Sequence, residues 1–317
     1  MFQFLYKFRF SAAVITMISG LLGHNFTTNY TIEIKPRQPN VIVREAPVAP
    51  RDFKTPAEFP KEENPVVISR KVTPTVMDAP KSWAYYINNP IIAAIKTSDF
   101  DLIVTDTESR IPFSRNDIIN MKSGGKKIFV YASLGDAENY RSYWNKEWNS
   151  KKPSWIGKEH ELWKGNFNVT ELLHPEWKEI TKKQLSKMMS LGFDGIVISG
   201  LSGKDVVSYL EFVHDFIKDR DSTFRILVQD YVDNSILPYI DGVVKQNLVY
   251  NYGLDKQSNT DDMLSKLKEI KKAGKHIFIM SYATGAKWAL VKEIIKDNGF
   301  FGYTGPVKLD VLRIKQE

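Results

Sequence analysis

From residue 82 onward, short apolar runs alternate with longer stretches of helical periodicity. The runs cover residues 83–87, 102–105, 127–132, 195–198, 225–229, 242–244, 276–281 and 300–303. Most are continuously apolar rather than alternating, the pattern of strands buried on both faces. Between them, amphipathic spacing predicts helices over 181–191, 204–218, 261–272 and 285–296, with Asp261 at an N-cap position and Gly274 at a C-cap position. Eight strand–helix units predict an α/β fold, a (β/α)8 TIM barrel over residues 82–317. A doubly wound open sheet is the alternative. It is disfavoured because no glycine-rich phosphate loop follows the first strand.

The first 81 residues follow different rules. Lys7 and Arg9 precede an apolar run over residues 10–23 (FSAAVITMISGLLG), after which polar sequence begins. A basic start and a short apolar core predict a signal peptide or signal anchor over 1–23, since a membrane span needs about 20 apolar residues. A buried N-terminal helix is the alternative. Residues 35–80 hold nine of the 15 prolines, interleaved with charges. Proline removes a backbone donor and extends the residue before it, so 24–81 reads as an extended Pro-rich linker or as an extension packed on the domain. The expected location is outside the cytoplasm: periplasmic, secreted or membrane-anchored. Membrane contact is expected only through the N-terminal segment.

Composition narrows the chemistry. The chain has 317 residues, 43% of them hydrophobic, and a net charge of +7. The positive excess is spread along the sequence without a clustered basic patch, which argues against a nucleic-acid partner. With no cysteine, disulfides, thiol catalysis and Cys-ligated metals are excluded. The five histidines show no metal-ligand spacing, so no metal or other cofactor is expected.

In a TIM barrel, function sits at the C-terminal ends of the strands. The loop after the third strand is long, running from Ser133 to about Pro175. It carries Trp144, Trp148, Trp155 and Trp163, with Trp177 just beyond. Tyr85, Tyr86, Tyr131, Tyr250, Tyr252 and Tyr282 lie at or near strand ends, beside the carboxylates Asp106, Asp136, Glu138 and Asp230. Flat amphipathic rings next to carboxylates and amides suit a sugar-binding cleft, because sugars present apolar C–H faces rimmed by hydroxyls. The alternative is that the rings pack the loop onto the barrel and that Asp136, Glu138 and Arg141 form an ion-pair network fixing it.

Five stretches carry a family resemblance. Residues 131–144 (YASLGDAENYRSYW) resemble Y-x-S-I-G-E-A-E-x-Y-R-x-Y-W. Residues 163–180 (WKGNFNVTELLHPEWKEI) resemble W-x-G-N…V…D-P-E-W, and residues 192–199 (GFDGIVIS) resemble G-F-D-G-V-Y-L-D. Residues 228–230 (VQD) resemble a Q-N after strand five, and residues 241–250 (DGVVKQNLVY) resemble D-G-I-x-x-E-x-L-F-Y. In this order they resemble the endo-α-1,4-polygalactosaminidase family of glycoside hydrolases, which implies a (β/α)8 barrel and a galactosamine-containing exopolysaccharide as partner. The resemblance also implies catalytic carboxylates at positions 199 and 246, where this chain has Ser199 and Gln246. Glycoside hydrolysis generally needs two carboxyl groups, one to protonate the leaving oxygen and one to attack or to activate water. Two readings follow. One is a barrel that recognises polysaccharide through Tyr86, Asp106, Tyr131, Glu138, Arg141, Trp163, Asn166, Tyr250 and Tyr282, with family-type hydrolysis impaired or absent. The other is an active hydrolase using Asp230 and Asp136 as displaced carboxylates. A structural envelope protein is a third.

Overall fold

The computed structural model describes residues 77–107, 112–252 and 255–312; the expected export segment and most of the Pro-rich linker lie outside them. The chain runs through β1 (Trp83–Tyr85), α1 (Ile92–Thr97), β2 (Leu102–Thr105), α2 (Arg115–Met121) and β3 (Lys127–Ser133). An excursion follows: β4 (Asp136–Glu138), a 3-10 turn at Lys146–Asn149, β5 (Ile156–Glu159) and β6 (Asn166–Val169). Then α3 (Pro175–Leu191) leads to β7 (Gly195–Ser199), α4 (Val206–Lys218) to β8 (Arg225–Gln229), and a second 3-10 segment at Asn234–Tyr239 to β9 (Gly242–Gln246). The rest is α5 (Thr260–Lys272), β10 (His276–Ser281), α6 (Gly285–Asn298) and β11 (Phe301–Thr304).

Eight parallel strands hydrogen-bond in the order β1-β2-β3-β7-β8-β9-β10-β11. The Trp83 and Tyr303 rings, 6.0 Å apart, bring β11 against β1, so the barrel is nearly closed with helices between its strands. The continuous apolar runs predicted this, because every residue of β1, β2 and β7 is buried. Register then decides which side chains face inward. Tyr131 lies opposite Val197, Val197 opposite Leu227, and Leu227 opposite Gly242, while Phe278 lies opposite Val244. Partners in a parallel ladder share a face, and side chains alternate along each strand. One parity therefore lines the interior all the way round: Trp83 and Tyr85, Tyr131 and Ser133, Ser199, Gln229, Gln246. Trp83 on β1 meets Phe278 on β10 edge to face at 5.1 Å, which closes the floor of the barrel.

The excursion after β3 is more ordered than a loop. Its strands form a separate antiparallel sheet, β4-β6-β5. Below it the tryptophans pack in a row: Trp144 on Trp148 at 5.2 Å, Trp148 on Trp155 at 5.3 Å, and Trp155 on Trp177 at 5.2 Å. Trp155 and Trp177 are fully buried, and their indole N–H groups donate to Glu176 and to the Leu134 carbonyl. Packing therefore accounts for these four rings, and Trp163 alone among the five stays substantially exposed, at 44%. A close backbone crossing seats the excursion on the barrel. Gly135 donates from its N–H to the Ser199 carbonyl at 3.0 Å, and a Cβ at Gly135 would run into the Gly200 backbone.

Some boundaries differ from the periodicity. α3 begins at Pro175, six residues before the predicted start, because proline is preorganised for the first helical turn. The cap of α5 is Asn259, and Asp261 sits inside its first turn, where a negative charge favours the helix dipole. α1 and α2 are too short for the sequence to display a periodic face.

The Gly135 crossing makes a prediction. Gly135→Ala should destabilise the protein by about 1–3 kcal/mol, the usual cost of overpacking, read as a lower urea midpoint. An unchanged midpoint would mean that the turn has room to move.

Candidate functional site

At the C-terminal mouth of the barrel the inward parity ends in polar groups, and each is fixed by a partner. Arg141, on the turn after β4, is the hub. Its Nη1 and Nη2 donate to both Asp106 oxygens at 2.6 and 2.7 Å, and its Nε donates to Glu138 Oε2 at 2.6 Å. Arg141 and Glu138 are buried and Asp106 nearly so. Burial alone would make the guanidinium easier to deprotonate, but Asp106 and Glu138 together outweigh it and Arg141 is held above its ordinary value. Burial raises the Glu138 carboxyl and Arg141 opposes the rise only in part. Glu138 also accepts from Tyr140 at 2.5 Å and from the Asn166 side-chain amide at 3.1 Å, which ties β4 to β6.

The positions where the family resemblance implies carboxylates hold neutral groups, and these are engaged. Ser199 Oγ donates to the Tyr131 hydroxyl at 2.7 Å. Gln246 Oε1 accepts from Tyr252 at 2.9 Å and from Tyr282 at 3.3 Å. Burial raises all three phenols above their ordinary values, so they stay protonated, Tyr252 and Tyr282 as donors to Gln246 and Tyr131 as acceptor from Ser199. Tyr85 donates to Gln229 across the barrel at 2.6 Å, and its ring lies 6.2 Å from Tyr131.

The other two carboxylates have separate partners. Asp230 adopts φ +60°, a left-handed conformation that Asp tolerates. Its Oδ1 accepts from Lys245 Nζ at 2.7 Å and from the Gln246 backbone N–H at 3.0 Å. Asp136 accepts from Ser133 Oγ at 3.1 Å, and its carboxylate lies against Gly200, next to Ser199. Burial raises the Asp136 carboxyl, with the Ser133 hydrogen bond opposing.

An aromatic wall stands beside these groups. Trp163, at the tip between β5 and β6, meets Tyr252 edge to face at 6.0 Å, and Tyr252 lies tilted by 30° against Tyr282 at 5.0 Å. The structure thus gathers Asp106, Tyr131, Glu138, Arg141 and Asn166 into one network with Ser199, and Trp163, Tyr282 and Gln246 into another. Tyr86 joins neither. Its parity points out of the barrel, and its hydroxyl accepts from the Ile91 N–H and lies 3.3 Å from the Asn89 carbonyl. Tyr250 lies under the Lys287 ammonium, 5.3 Å from the ring centre. Gln229 and Tyr140 also belong to the mouth, as do Tyr85 and Tyr252, which the sequence marked only as strand-end rings and not as binding residues. Counting parity back from Asp230 and Tyr86 would have found Gln229 and Tyr85. Among the described residues, no cluster of His, Cys, Asp and Glu has the arrangement to hold a metal ion, and no helix is long and apolar enough to cross a membrane.

Comparison with known proteins adds independent findings. Residues 66–308 match glycoside-hydrolase family GH114. An uncharacterized protein of Methanocaldococcus jannaschii is 26% identical over 230 positions, covering 63% of this chain and 66% of that one. A Thermotoga maritima relative, also uncharacterized, is 25% identical, covering 63% of this chain and 70% of its own. This chain therefore spans about two thirds of the length of these relatives. Among solved structures, the glycoside hydrolase domain of PelA from Pseudomonas aeruginosa superposes with a TM-score of 0.58 at 14% identity, covering 74% of this chain and 97% of that domain. Aspergillus fumigatus Ega3, solved in complex with galactosamine, superposes with a TM-score of 0.59 at 15% identity, covering 74% of this chain and 94% of that one.

The Arg141 hub yields a pH-dependent prediction. Arg141→Met leaves Asp106 and Glu138 together without a counter-charge, and should cost about 3–5 kcal/mol at neutral pH. Protonating Glu138, whose folded value already lies above the ordinary one, relieves the strain. The deficit relative to the unaltered protein should therefore shrink as pH falls from 7.5 to 5. A pH-independent deficit in thermal melts would contradict this.

Proposed function

The chain belongs to glycoside-hydrolase family GH114, and from that premise we propose that it recognises an amino-sugar polysaccharide of the galactosamine type without family-type hydrolysis. The observation that carries this reading is the state of positions 199 and 246. Ser199 and Gln246 are uncharged and hydrogen-bonded to protonated phenols. A serine hydroxyl is too weak an acid to protonate a leaving oxygen, and an amide cannot do so. Losing acid and nucleophile together removes rate factors of about 10²–10⁴ each. The mouth nevertheless keeps what sugar binding uses: the Trp163–Tyr252–Tyr282 wall, the Asn166 amide and a row of phenolic donors. Its charge also suits an amino sugar. Asp106, Asp136, Glu138 and Asp230 outnumber Arg141 and Lys245 there, so the mouth is locally acidic on a chain of net charge +7.

One observation favours a second reading, an active hydrolase with displaced carboxylates. Asp136 lies against Gly200, beside Ser199, and burial raises its carboxyl as it would for a general acid. Its proposed partner Asp230 is held by Lys245. The export pattern at residues 7–23 supports a location outside the cytoplasm, where exopolysaccharide is met.

Two variants test the reading. Trp163→Ala should weaken binding of de-N-acetylated galactosamine oligomers by about tenfold in a calorimetric titration, the scale of one lost aromatic contact of about 1.4 kcal/mol. The double substitution Ser199→Asp with Gln246→Glu should release reducing ends where the unaltered protein releases none. Oligomer binding indifferent to Trp163, or no binding at all, would refute the reading.

A further inference from the structure

A second concavity lies beside the mouth and shares Arg141 and Tyr131 with the first network. It is a cavity of about 290 Å³ between the end of β3, the turn at residues 141–143 and α3. From α3 it is lined by Ile180, Lys183, Gln184 and Lys187, whose spacing of three and four residues makes one helix stripe. Its lining includes Arg141 and no carboxylate. Gln184 Nε2 is buried there with no hydrogen-bond partner, although nearly all buried side-chain donors have one. At about 290 Å³ the space is far larger than the ~30 Å³ share of one water, and it sits at the small end of ligand pockets.

A buried amide donor without a partner calls for an acceptor, and a lining that includes lysine side chains and no carboxylate favours one that carries negative charge. We propose that this cavity is an oxyanion site for a carboxylate- or phosphate-type group on a ligand no larger than one sugar ring. Gln184 donates to one of the oxygens and Lys183 supplies the charge. The anion stands apart from the acidic mouth, where the bound sugar is expected to be cationic. Arg141 and Tyr131 line both spaces, so an occupant contacts the residues that organise the mouth.

The test is calorimetric titration of the full chain with inorganic phosphate, with glucuronate and, as the neutral counterpart, with glucose. The proposal expects saturable binding of at least one anion and none of glucose; phosphate and glucuronate together tell a free oxyanion from a sugar carboxylate. Lys183→Glu and Gln184→Met should each weaken anion binding tenfold or more, and Trp163→Ala should leave it unchanged, which separates this site from the proposed glycan cleft. Gln184→Met removes only the unpartnered amide and should fold with an unchanged melting temperature. No heat with either anion, equal heat with glucose, or anion binding that survives both substitutions would overturn the proposal.

Discussion

One guanidinium sets the geometry of the mouth. Arg141 grips Asp106, at the end of β2, with two parallel hydrogen bonds, and Glu138, on β4, with a third. Through that fork the small antiparallel sheet is joined to the barrel, and with it the tip that presents Trp163. A lysine could not do this, because only the planar fork satisfies two carboxylates in fixed directions at once. The cost is burial of charge, visible in the raised carboxyl of Glu138. It is offset by further donors, Tyr140 and Asn166, which leave few of the Glu138 lone pairs unsatisfied.

Around that hub the mouth is built from closed hydrogen-bond pairs. Ser199 meets Tyr131, Gln246 meets Tyr252 and Tyr282, Gln229 meets Tyr85, and Asp230 meets Lys245. Each of these groups therefore has its partner within the mouth itself. In a hydrolytic centre two carboxyl groups are set in environments that push their proton affinities apart. Here the carboxyls that burial shifts, Glu138 and Asp136, stand on the excursion, not at positions 199 and 246.

The barrel was legible because a parallel strand buried on both faces has no polar position to disguise it: 102–105, 225–229 and 276–281 were bounded as the strands are. The excursion was less legible. Its three strands are short and bordered by aromatic residues that pack downward, so tryptophan content alone could not separate Trp163, which is exposed, from Trp155 and Trp177, which are buried. Within the mouth, the sequence pointed to strand ends but not to parity. Tyr85 and Tyr86 are adjacent and chemically alike, yet one reaches Gln229 across the barrel and the other ties down the loop after β1. Register, which depends on all eight strands together, makes that choice. The Asp230–Lys245 pair was hidden for a similar reason, since it depends on the left-handed turn at Asp230.

The central claim is recognition without cleavage, and the most direct measurement is on the unaltered protein. De-N-acetylated α-1,4-galactosamine oligomers of defined length would be titrated against it and then held with it for a prolonged incubation, with the oligomer lengths read by mass spectrometry. The account predicts saturable binding and an unchanged length distribution. Shortened oligomers, with shortening abolished by Asp136→Asn or Asp230→Asn, would contradict it and assign the acid chemistry to the displaced carboxylates.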